Sequence, residues 1–311
     1  MGKSDLFETI SCPLCGSPDF TVIYPPKYPA GLQKDDLLTM YYSSSDQKLL
    51  DQMVVCNSCS LVYLNPRVKY GIILESYSQA IDPAFVKQNL TRIRTFDREL
   101  RQIIKKYNIR ADEHKRVLDI GCAGGAFLKA AHDLGFSVTG VEPSAWLCEY
   151  GKNEYGLDIR SGVLSDYDFD AASFDIISLW DVVEHLPMPC KVLSRAHTLL
   201  KDDGLLIVNY PDYDSWAARF LGSRWPFLLS VHLFYYTPGT MKTQLAQCGF
   251  EIVEMKPYWQ VLELGYILRR ASGYFKFVGI LETIVRLIGL SAICVKYNMG
   301  QTRIIAKKIN G

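Results

Sequence analysis

From Arg116 to Ile309 the chain alternates short apolar runs with longer amphipathic stretches. RVLDI, SVTGVE, LDIRSG, FDIISLW, LLIVNY and FEIVEM read as strands, and RIIAKKI reads as a last one. Strands alternating with helices predict a parallel sheet covered on both faces, a Rossmann-like α/β fold. Upstream, from Tyr70 to Arg110, the period turns helical. Phe96, Leu100, Ile103 and Ile104 fall on one face, and Arg98, Glu99, Arg101 and Gln102 fall on the other. The first 70 residues, rich in Pro, Tyr and Ser, predict a small loop-rich module. The expected plan is therefore a module at 1–70, linking helices at 71–110 and an α/β domain at 111–311, with a helical insertion at 258–300.

Composition narrows the class. Apolar residues make up 49% of the 311, enough for a full core. The charge is nearly balanced, 34 basic against 33 acidic residues. A dedicated nucleic-acid binder draws its affinity from a basic excess, so nucleic acid is disfavoured as a partner. Nine cysteines, four of them in two CxxC pairs, do not form a disulfide framework. A cytoplasmic location is expected. In the insertion, Glu282 and Arg286 break any clean apolar span, which leaves a cap, a lid or peripheral contact with the inner membrane face. The five single cysteines, Cys122, Cys148, Cys190, Cys248 and Cys294, read as small core residues.

The stretch VLDIGCAGGAFL carries the first chemistry. A dinucleotide loop wants GxGxxG, and counted from Gly121 the second and third glycine positions are Ala123 and Ala126. Asp119 would also repel a pyrophosphate. A P-loop is absent. The ligand should approach bare backbone yet carry positive charge, which fits S-adenosylmethionine (SAM). Glu142, at the end of the next strand, can accept ribose hydroxyls.

VLDIGCAGGAFL, VTGVEPS, FDIISLWDVVEHLPMP and LLKDDGLLIVNYPD, in that order, resemble successive motifs of class I SAM-dependent methyltransferases. The resemblance covers roughly Lys115 to Asp212. It implies a doubly wound seven-stranded sheet with an antiparallel last strand. It also implies methionine contacts at Asp119, Gly121 and Gly125, ribose contacts at Glu142, and adenine contacts near Val163 and Leu164, with Trp180 beside the cofactor. Ala123 departs from the family's glycine, a methyl that is harmless if its φ stays negative.

Cys12, Cys15, Cys56 and Cys59 form two CxxC pairs, the ligand set of a closed structural zinc site. The module resembles the zinc-binding domain that precedes certain small-molecule methyltransferases, including sugar methyltransferases of polysaccharide gene clusters. The expected acceptor is thus a small molecule: a sugar, a sugar nucleotide or a glycolipid precursor. Two rivals stand beside it. One is an RNA methyltransferase gripping its substrate with the zinc module, although acidic residues between Asp19 and Asp51 dilute any basic stripe. The other is a non-catalytic SAM-binding scaffold.

Methyl transfer needs an aligned acceptor and usually a base. His185, after the fourth strand of the domain, is the first candidate, matching histidines that act as bases in some methyltransferases of this fold. His232 and Tyr235, in an aromatic stretch with Trp225, Phe227 and Tyr236, are the others. Asp181 and Glu184 could join His185 around a metal, as in related quinone methyltransferases.

Overall fold

The computed structural model describes residues 6–41, 48–273 and 276–309. In the N-terminal part, strands β1 (Phe7–Glu8), β2 (Phe20–Tyr24), β3 (Met53–Cys56), β4 (Val62–Leu64) and β5 (Arg67–Val68) alternate with loops and one short helix. The α/β part supplies β6 (Arg116–Ile120), β7 (Ser137–Glu142), β8 (Ile159–Ser161), β9 (Phe174–Trp180) and β10 (Leu200–Pro211). It continues with β11 (Phe234–Tyr235), β12 (Phe250–Pro257), β13 (Gln260–Glu263), β14 (Cys294–Tyr297) and β15 (Gln301–Lys308).

Seven of these strands form one sheet in the order β12-β15-β10-β9-β6-β7-β8. β6 to β10 pair in parallel, while β15 runs antiparallel to both β10 and β12. The expected seven-stranded sheet with an antiparallel last strand is therefore present. The apolar runs account for it. β9 is buried along nearly its whole length, as a central parallel strand must be.

Each face has its own core. On one, Leu100 and Ile103 of the helix Asn89–Tyr107 pack with Phe127, Val117, Ile207 and Ile305. On the other, the core runs from Leu193 and Leu245 to Met53, Leu64 and Cys12. That continuity arises because β11 pairs with β4, giving a four-stranded sheet β11-β4-β3-β2. The cysteine module therefore borrows a strand from the segment after β10. Ser230 fastens the same segment, accepting from the amides of Leu50 and Asp51 at 2.8 and 3.1 Å.

Residues 258–300 make a helical hairpin, Leu264–Ser272 and Lys276–Leu287, set on an antiparallel ribbon of β13 and β14. Among the described residues, no helix is long and apolar enough to cross a membrane. Cys122, Cys148 and Cys248 are buried, Cys190 is half-buried, and Cys294 is exposed rather than a core residue.

Candidate active site

The glycine loop begins where β6 ends. Gly121 adopts φ +70°, and a Cβ there would sit 2.6 Å from a Val182 methyl. Gly125, at φ +77°, opens the helix Ala126–Asp133, and a Cβ there would collide with Leu157. Both positions need glycine for conformation and for space. Ala123 is a correction to expectation. Its φ is +47°, so its methyl is carried in the left-handed region at a cost of about 1–2 kcal/mol. The turn holds because the Ala123 amide donates to Glu142 Oε2 at 2.9 Å.

Asp119 is buried at the inner end of a cavity of about 360 Å³, within the usual range for small-molecule sites. Its Oδ1 accepts from the Ser178 hydroxyl at 2.6 Å. Burial, reinforced by the nearby Glu142 charge and only partly offset by Ser178, pushes its carboxyl up to about 8. A cationic ligand would reverse that shift.

The Asp119 end of the cavity is also lined by Gly121, Cys122, Ala123 and Gly124. Trp180 lines it too, and its buried indole N–H has no partner among the described residues. Asp181, Glu184, His185, Phe227 and His232 line the same cavity.

The two histidines are set alike. His185, in the 3₁₀ turn Val183–His185, places Nδ1 2.9 Å from the Val231 carbonyl. His232 places Nδ1 2.8 Å from the Phe227 carbonyl. A carbonyl only accepts, so Nδ1 carries the proton in each ring and Nε2 keeps its lone pair. The rings meet edge to face, 4.7 Å between centroids. Burial lowers His185 to about 4 and holds His232 well below the ordinary histidine range, so both are neutral near pH 7.

Glu184 is buried beside them, and neither carboxylate oxygen has a hydrogen-bond partner among the described residues. Burial and the Asp181 charge push its carboxyl well up. The ligand atoms of Glu184, His185 and His232 lie within 4.8 Å of one another. Asp181 is otherwise engaged, accepting from Asn209 Nδ2 and Gln301 Nε2, each at 2.7 Å, and it holds an unusual φ of +55°. The expected Asp181–Glu184–His185 set is thus replaced by one in which His232 stands in for Asp181.

Five expected site residues lie off the cavity lining, Gly125 among them. Tyr235 is buried in β11, its hydroxyl donating to the Leu229 carbonyl at 2.7 Å, so it cannot serve as a base facing the cavity. Glu142 is buried, accepting from the amides of Ala123 and Ser144, with the Tyr77 hydroxyl against it. Val163 and Leu164 lie beyond Glu142, outside the cavity lining. The segment around Tyr70, Tyr77 and Ala80 covers this half, Ala80 accepting from Ser144 Oγ.

Conversely, Asn89, Arg92, Tyr258, Tyr266, Arg270 and Gln301 line the cavity and were not anticipated. A signal existed for two of them. Asn89 and Arg92 extend the inward stripe of Phe96, Leu100 and Ile103 by helical spacing, and a polar pair on an apolar stripe marks a ligand-facing end.

The cysteine cluster fits zinc. Sγ of Cys12 lies 3.5 Å from that of Cys59, and Sγ of Cys15 lies 3.5 Å from that of Cys56. All four fall within 4.8 Å, and thiolates about 2.3 Å from a tetrahedral zinc have edges of about 3.8 Å. Each CxxC pair closes on a left-handed residue, Gly16 at φ +77° and Ser60 at φ +63°, whose amides donate back to Cys12 and Cys56. Burial raises Cys12 and Cys59 and acts on Cys56 too, but the amides of Cys59 and Ser58 and the neighbouring thiols of Cys15 and Cys59 bring Cys56 down to about 7, so that thiol comes nearest the thiolate a metal needs.

The sequence model of the methyltransferase domain matches residues 91–255, more than half of the chain. The chain belongs to the methyltransferase-domain family. Asp119, the glycine loop, His185 and His232 all fall inside the matched region of this class I SAM-dependent methyltransferase. It is 29% identical over 161 residues to a ubiquinone biosynthesis O-methyltransferase of Haemophilus ducreyi, covering 46% of this chain and 68% of that protein. It is 34% identical over 105 residues to the protein of the same name from Glaesserella parasuis, covering 30% and 44%. The methyltransferase thus spans about two thirds of one relative and under half of the other. A solved SAM-dependent methyltransferase from Archaeoglobus fulgidus superposes with a TM-score of 0.47 at 18% identity, covering 73% of this chain and 100% of that one. The Bacillus subtilis YcgJ protein gives 0.48 at 18%, covering 68% and 98%.

Proposed function

We propose that this methyltransferase moves the methyl group of SAM to a small molecule: a sugar, a sugar nucleotide or a glycolipid precursor. One observation carries the reading. One cavity is lined both by Asp119 and Gly121, suited to the cationic methionine end of SAM, and by two histidines whose Nδ1 bonds leave the lone pair on Nε2. The acceptor's lone pair attacks the methyl carbon in line as the sulfonium leaves as a neutral thioether. The acceptor proton passes to Nε2 of His185.

Tyr258, Tyr266 and Phe227 offer flat walls suited to a sugar ring, and Arg92 and Arg270 offer cations suited to a phosphate. In this reading Trp180 bounds the cofactor and Gly125 shapes the loop. Glu142, which has lone pairs to spare, takes the ribose once Tyr77 yields, with adenine beyond it near Val163 and Leu164. The four cysteines hold a structural zinc.

The test is an acceptor panel with methyl-labelled SAM: sugar nucleotides, polyprenol-linked sugars, phenolic quinone precursors and RNA. Label in a sugar-bearing acceptor is expected. Label in RNA alone would reject the small-molecule reading, and label only in the phenols would replace the sugar.

A metal-assisted transfer is the second reading, carried by the Glu184 carboxylate, which has no hydrogen bond among the described residues and lies 4.0 Å from His185 Nε2, with His232 beside both. A divalent cation held there would polarise the acceptor oxygen. Dialysis against a chelator that spares thiolate-bound zinc separates the two, since only the second reading expects activity to vanish.

A further inference from the structure

We propose that the helical hairpin is a docking surface for an anionic lipid bilayer. On the helix Lys276–Leu287 and its C-terminal extension, Ile280, Leu281, Ile284, Leu287 and Ile288 share one face by helical spacing. They are 46–78% exposed, whereas Val278 and Val285, on the adjoining side past Leu281, are buried against the protein. One side of the helix therefore completes the fold, and the other presents a continuous apolar stripe to solvent. Isolated exposed apolar residues are ordinary, but a stripe of this length marks a contact.

Charge selects the occupant. Residues 264–297 carry five basic side chains, Arg269, Arg270, Lys276, Arg286 and Lys296, against one acidic residue, Glu282. The chain as a whole is nearly balanced, so this segment concentrates its positive charge. A second copy packed on the stripe would bring two such basic segments together and be repelled. An anionic leaflet attracts the same residues while its acyl boundary takes the stripe, the physics of an interfacial amphipathic helix.

The location matters as well. Tyr266, Ile267 and Arg270 of the hairpin's first helix wall the cavity, as does Leu221 at the end of the helix Trp216–Leu221, whose Phe220 is 84% exposed. Docking by the hairpin would set the cavity beside the leaflet. Resting on the small-molecule reading above, the acceptor would then be an amphiphile presented from that leaflet.

The experiment is co-sedimentation of the full-length protein with vesicles of phosphatidylglycerol and phosphatidylcholine, and with phosphatidylcholine alone. Binding to the anionic vesicles is expected, at least about tenfold weaker on neutral ones and weakened by salt. The Ile284→Glu/Leu287→Glu variant is expected to lose vesicle binding by about tenfold or more while keeping SAM affinity in calorimetry, because neither residue lines the cavity. Absence of sedimentation with anionic vesicles would overturn the proposal. So would unchanged binding by the variant, or light scattering that shows a wild-type dimer dissociated by these substitutions. Loss of SAM binding by the wild type would reject the catalytic reading and leave the vesicle result standing.

Discussion

Replacing His185 by alanine is expected to lower kcat by about 100-fold or more while SAM affinity stays within about twofold. The imidazole sits in the turn immediately after β9, its Nδ1 fixed by the Val231 carbonyl, so its free nitrogen is held without help from substrate. Rigid placement of that kind is what a base requires. Asp119 and the glycine loop, not this ring, are the groups proposed to hold SAM, which explains the expected split between turnover and affinity. His232→Ala should instead raise the acceptor KM, since that ring abuts His185 from the segment after β10 and shapes the acceptor side. Steady-state kinetics on both variants check the assignment. Near-normal turnover in His185→Ala, with loss in His232→Ala, would move the base to the second ring.

Cys56→Ser is expected to empty the cysteine cluster and unfold the module around it. Structural zinc contributes about 10–16 kcal/mol in small zinc-finger peptides, more than a module of this size can replace. The α/β domain should stay folded but not untouched, because β11 pairs with β4 and Ser230 fastens Leu50 and Asp51. Losing the module releases the segment that carries His232 and the Val231 carbonyl anchoring His185. Acceptor turnover should therefore fall by about tenfold or more, as it does when a catalytic group loses its orienting partner. SAM binding at β6 and β7 should persist. Metal analysis beside calorimetry reads both. Zinc-free wild-type protein prepared anaerobically would remove the metal from the account.

How much of this the sequence displayed depended on the range of the interactions involved. β6, β7 and β9 match their apolar runs residue for residue, because a buried parallel strand leaves an uninterrupted signature. The two CxxC turns were legible from Gly16 and Ser60 after their cysteines. β13 and β14 were not, since four residues of weak alternation, QVLE and CVKY, carry too little pattern. The pairing of β11 with β4 joins residues about 170 positions apart and has no local mark. Likewise, the burial of Glu142 and Tyr235 depends on tertiary partners, Tyr77 and Leu229, that no motif names. The φ of Ala123 follows from its amide's bond to Glu142, again a contact rather than a propensity.

The central claim, that the cavity beyond the glycine loop is built for a cation presented to Asp119, is tested most directly by calorimetric titration of SAM and of NAD across pH. In the empty cavity, burial holds the Asp119 carboxyl up to about 8, whereas a bound sulfonium and ammonium favour its ionised form. Binding should thus release a proton, and SAM affinity should strengthen as pH rises from 6 to about 8 and then level off. One SAM per chain is expected, with affinity about 10- to 100-fold weaker in Asp119→Ala and no measurable heat from NAD. Tight NAD binding with no heat from SAM, or SAM affinity that weakens as pH rises over that range, would contradict the account.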